Sequence, residues 1–66
     1  DTITMNILDI RGRKVRTLID REQLFGYQAI MWDAKDDDGE NVSSGVYFYQ
    51  IKSRNFNEVG KLVFVK

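Results

Sequence analysis

The sequence predicts an all-β chain folded as an antiparallel sandwich. Three observations carry that prediction. Apolar and polar residues alternate with period two, as in Ile3, Met5 and Ile7 against Thr2, Thr4 and Asn6. Turn signals built from Gly, Asp and Ser recur at roughly 8 to 12 residues, the spacing of sandwiches and barrels. Val-Tyr-Phe-Tyr-Gln-Ile, residues 46–51, concentrates the β-branched and aromatic side chains that suit a pleated, half-buried surface.

The elements follow in order. Thr2–Ile10 reads as the first strand; its Thr and Ile content favours strand over the helix that Ile3, Ile7 and Ile10 would also permit. Arg11-Gly12-Arg13 is a tight turn, because Gly12 takes positive φ without steric cost. Lys14–Ile19 returns as the second strand. A polar connection, residues 20–26, leads to a strand predicted over Tyr27–Asp33, with Ile30 and Trp32 facing inward. The acidic run from Asp33 to Glu40 ends in Asp-Gly, a hairpin signal at Gly39. Val42 belongs to a brief return stretch, and Ser43-Ser44-Gly45 breaks the run. Val46–Lys52 and Val59–Val65 are the last two strands. Tyr47, directly after that Ser-Gly break, is placed to form a tyrosine corner, its hydroxyl bonding the preceding connection. The expected total is five strands and one short one.

Composition narrows the function. Sixty-six residues make one small domain, or part of one. With no cysteine and no histidine, disulfides, Cys/His zinc sites and histidine-based triads are excluded. Ten basic and ten acidic residues cancel, which speaks against a general nucleic-acid or anionic-membrane binder. No apolar run approaches the ~20 residues of a membrane-spanning helix. Charge is nevertheless segregated. Arg11–Arg16 is basic and Asp33–Glu40 acidic, so two oppositely charged tips are expected, at opposite ends or facing one another.

The acidic run also raises calcium. Asp36, Asp38 and Gly39 match three positions of an EF-hand loop, but Ala34 and Gly45 stand where its first aspartate and its closing glutamate belong. An EF-hand is therefore rejected, and a looser calcium site from Asp33, Asp36 and Asp38 remains the candidate cofactor site. Three neighbouring aspartates on a turn have no apolar pocket to raise one pKa, so glycosidase chemistry is not expected. Ser43 and Ser44 have no histidine to activate them. No enzymatic activity is expected.

Read together, Ile7-Leu8-Asp9-Ile10-Arg11-Gly12-Arg13-Lys14-Val15 with Leu18, then Gly26, Trp32-Asp33, Asp36 with Gly39, Val42, residues 44–49 (Ser-Gly-Val-Tyr-Phe-Tyr) and residues 61–66 (Lys-Leu-Val-Phe-Val-Lys) form an ordered set. This set resembles the type A C-terminal sorting domain of proteins exported by the type IX secretion system. It is also similar to the related immunoglobulin-like domain of the flagellar hook-capping protein. The resemblance spans nearly the whole chain, with Ala34 in place of the glycine usual after Trp-Asp.

That resemblance implies an immunoglobulin-like sandwich lacking its usual first strand, and a non-catalytic tail on a larger secreted bacterial protein. It implies secretion-machinery proteins and a sortase-like peptidase as partners, or the upstream domain of the parent protein. Passage through the periplasm to the exterior or the cell surface would follow. Recognition would fall on the final strand, at Lys61, Leu62, Val63, Phe64, Val65 and Lys66, with Lys66 as the natural end. Gly12, Trp32, Gly39, Gly45 and Tyr47 would fix the fold. The alternatives are a structural assembly module like the hook-cap domain, and an accessory domain of an extracellular enzyme.

Overall fold

The computed structural model describes residues 2–23 and 30–66. Its strands are β1 (Thr2–Leu8), β2 (Lys14–Gln23), β3 (Gly45–Lys52) and β4 (Asn57–Phe64). They form one antiparallel sheet in the order β2-β1-β3-β4. The chain is thus all-β, as the alternation predicts, and its topology is that of an immunoglobulin-like sandwich fragment.

Residues directly opposite in antiparallel strands share a face. Ile7 lies opposite Tyr49, Met5 opposite Ile51 and Ile19, and Tyr47 opposite Leu62. This row makes the core face, and Ile7 (1% exposed), Ile19 and Tyr47 are its buried residues. The other face carries Leu8 opposite Phe48, Val46 opposite Val63, and Asn6 opposite Gln50. Asn6 is buried there, and the Thr17 hydroxyl donates to its Oδ1 at 3.0 Å, so burial leaves no orphaned acceptor.

Three expectations change. The strand predicted over Tyr27–Asp33 is absent from its described part, Ile30–Asp33; Tyr27, Gln28 and Ala29 lie outside the described residues, as does Gly26. Trp32 still turns inward, but from an irregular segment, and it lies edge-on to Tyr47 with ring centroids 5.2 Å apart. The reason is local. The Trp32 Nε1–H donates to Lys35 O and the Asp33 carboxylate accepts the Lys35 N–H, so both side chains turn back onto the following loop. The return stretch at Val42 is likewise only an isolated bridge, Lys35 to Asn41. Among the described residues the second layer is therefore this irregular segment laid over the core face.

Conversely, β2 runs on to Gln23, past the predicted Ile19. Its register against β1 shifts three times. Each bulge breaks the period-two pattern, and Arg21, with φ of 51°, sits in the last irregular stretch.

Candidate functional site

The Arg11–Arg13 tip is ordered by a residue outside it. Asp9 Oδ1 accepts the backbone N–H of both Arg11 and Arg13, each at 2.9 Å, and the Arg13 guanidinium reaches Oδ2 at 3.1 Å. The Gly12 N–H closes the turn onto Asp9 O at 2.9 Å, with Gly12 at φ of 83°. The Arg13 backbone N–H, helped by that of Arg11 and by the guanidinium, holds the Asp9 carboxyl below its ordinary value.

The two charged tips face one another. Arg16 bonds Asp33 Oδ1 at 3.0 Å and Lys35 O at 3.2 Å. Asp37 lies 3.9 Å from both Lys14 Nζ and Arg16 Nε. Asp37 also joins the backbone of β2: its N–H donates to Val15 O at 3.1 Å, and its Oδ1 accepts the Thr17 N–H at 3.0 Å. The acidic loop thus covers the outer edge of β2 at Val15 and Thr17. The groove between the tips is lined by Asp9, Lys14, Asp36, Asp37, Asp38 and Tyr47, among others. Several of its charges already satisfy each other.

The proposed calcium ligands do not converge. Asp33 serves Arg16 and the Lys35 N–H, while Asp36 Oδ1 accepts the N–H groups of Asp38 and Glu40. Among the described residues no group of three acids is arranged to hold a metal ion. The Asp33 and Asp36 carboxylates have each taken up local backbone donors, the ordinary behaviour of aspartate in a turn. Gly39 turns the loop at φ of 82°. At the serines, the Ser43 backbone carbonyl accepts the Tyr47 hydroxyl at 2.7 Å, and Ser44 Oγ accepts the Lys66 N–H at 3.0 Å. The Tyr47 bond is the corner geometry that the Ser-Gly break predicts, and it lies just before Gly45 opens β3.

The terminal residues lie on and beyond β4, the other edge of the sheet. Leu62 and Phe64 turn to the core face, where Phe64 meets Trp32 at 6.2 Å between centroids. Lys61, Val63, Val65 and Lys66 are exposed. Among the described residues no segment pairs with the outer side of β4.

One pair was not singled out from the sequence. Gly60 lies opposite Tyr49, whose ring covers it so closely that any Cβ there would run into the ring. The available signal was a lone glycine inside a strand pattern, which marks close approach. Asp9 and Asp37 also went unnoticed as organisers, since nothing local separates Asp37 from its neighbours Asp36 and Asp38.

Residues 1–56 match the family described as the FlgD Ig-like domain. The chain is 40% identical over 55 residues to the basal-body rod modification protein FlgD of Salmonella typhimurium, covering 83% of this chain and 24% of that protein. The protein of the same name from Salmonella typhi matches to the same extent. The chain therefore spans about a quarter of the length of these curated relatives. No solved structure matches it significantly. These matches fall on the flagellar side of the resemblance and lend nothing to the sorting-domain side.

Proposed function

The chain belongs to the FlgD immunoglobulin-like domain family, and from that premise we propose that it is a structural assembly module of a larger bacterial protein of the hook-capping or rod-modification kind. The family is one of structural proteins, not of enzymes. The observation that carries the proposal is the match over residues 1–56. The described architecture agrees with it: a small antiparallel sheet whose two charged tips are held together by ion pairs. A module of this kind acts by presenting a rigid surface to other protein.

The test is a chimera. Deleting the matching segment from Salmonella typhimurium FlgD should impair hook formation, and inserting this chain in its place should restore it. A chimera that accumulates as folded protein yet restores no hooks would overturn the reading.

A second reading, export sorting, is favoured by one observation. Strand β4 and the segment Lys61–Lys66 lie beyond the family match and along an uncovered sheet edge. An extended partner segment adding to that edge would gain backbone hydrogen bonds, with side-chain pockets giving specificity. Secretion-machinery proteins and a sortase-like peptidase would then be the partners, and the cell surface the destination. A reporter fused to this chain in a type IX-competent bacterium should leave the periplasm, and removal of Leu62–Lys66 should stop it. Export that is unchanged by the removal would eliminate the terminal strand as a signal.

A further inference from the structure

We propose that β4 is a self-pairing edge, through which two copies of this chain join antiparallel in a register centred on Leu62. The proposal stands independently of the flagellar reading. It starts from the difference between the two sheet edges. The outer backbone of β2 is occupied by Asp37 at Val15 and Thr17, whereas that of β4 is bare among the described residues. A bare strand edge is a template for another strand.

The sequence of β4 selects the occupant. Two copies related by a two-fold axis normal to the sheet place residues of equal parity opposite one another, and every contact occurs twice. Centred on Leu62, the pairing sets Glu58 opposite Lys66, Val59 opposite Val65, Lys61 opposite Val63, and Leu62 opposite itself. Glu58 and Lys66 have no ion-pair partner among the described residues. Val59, Val63 and Val65 are 58%, 61% and 79% exposed, and this register brings all three together on one face.

The neighbouring registers are poorer. Centring on Lys61 sets two lysines directly opposite, which is destabilising. Centring on Gly60 sets glycine against glycine and Glu58 against Leu62, and centring on Val63 loses the opposite-charge pair.

Sedimentation equilibrium of the chain up to about 1 mM tests this directly, since a single strand pair is a small interface. A monomer–dimer equilibrium is expected. Glu58→Lys and Lys66→Glu should each raise the dimer Kd by about fivefold, because both symmetry-related pairs become like-charged. The double variant should return it to near the parent value. Amide exchange of the parent supplies a readout free of any variant: outward amides of residues 58–66 should slow as concentration rises. The proposal is overturned if the folded chain stays monomeric, if the single variants leave Kd unchanged, if the double variant fails to restore it, or if those amides do not respond to concentration.

Discussion

At one edge of the sheet, Asp37 fills the backbone of β2 with a donor and an acceptor while pairing Lys14 and Arg16. At the other, β4 presents Val59, Val63 and Val65 to solvent with no segment alongside among the described residues. Both are antiparallel edge strands of one small sheet, β2 of 10 residues and β4 of 8. The comparison separates protection from availability. Charge and a covering loop close one side against strand addition, and with little other than Lys61 to discourage it, the opposite side accepts it.

Trp32 spans this contrast, because its ring meets Tyr47 and Phe64 while its Nε1 donates to Lys35 O in the loop that seals β2. Trp32→Ala should therefore have the largest effect, about 3 kcal/mol in urea denaturation. It should also quicken exchange of the Thr17 amide, which the sealing loop protects. A variant that melts like the parent would show that the loop holds to β2 by its charges alone. Gly60→Ala acts on the open side. The new methyl must displace the Tyr49 ring, at a cost of about 2 kcal/mol, read by the same denaturation.

Asp37→Ala should cost about 1 kcal/mol, since it removes one exposed hydrogen bond and two long ion pairs. Its more informative result is association: the Thr17 N–H is uncovered while the residue-37 N–H stays on Val15 O, so β2 opens in part, and sedimentation should detect species beyond the dimer. An unchanged profile would mean that the bulges of β2, and not the loop, keep that side closed.

Much of this was legible beforehand. Strand β1 follows from period-two alternation, β3 from its β-branched and aromatic content, β4 from the apolar run Leu62–Val65, and the turns at Gly12 and Gly39 from glycine chemistry. The strand expected through Trp32 was not, because the Ile30–Asp33 stretch has the right residues but spends its bonding capacity on a loop. The length of β2 was hidden too: its last four residues are polar, and only backbone pairing with Thr2 and Ile3 makes them a strand. For the candidate site, the exposure of Val63 and Val65 was not readable, because a continuous apolar run such as Leu62-Val63-Phe64-Val65 looks the same in a covered strand and at an open edge, and the bonding of Asp37 to β2 depends on which of three adjacent aspartates meets Thr17, a matter of tertiary geometry.

Two smaller effects sharpen the picture of the sealed side. Ala34 sits at φ of 61° in the loop, a left-handed conformation that costs about 1–2 kcal/mol for a residue with a Cβ. Ala34→Gly should raise stability by about 0.5 kcal/mol after the larger entropy loss of glycine is subtracted. A loss of stability would mean that the methyl makes contacts worth more than the strain. The smallest effect concerns Asp9. Its folded pKa lies below the unfolded value, so its contribution is present above the ordinary carboxylate range and fades as pH falls through the folded value. The parent should lose stability below about pH 4 more steeply than Asp9→Asn, as acid titration of the melting temperature would show.

The Tyr49 ring lying across Gly60 ties two positions on neighbouring strands into a single unit of change. A larger residue at position 60 is tolerable only if position 49 shrinks, and a smaller residue at 49 leaves a hollow that position 60 alone is placed to fill. Descendants of this sequence should therefore drift at these two sites in step, with glycine facing an aromatic or a modest side chain facing another.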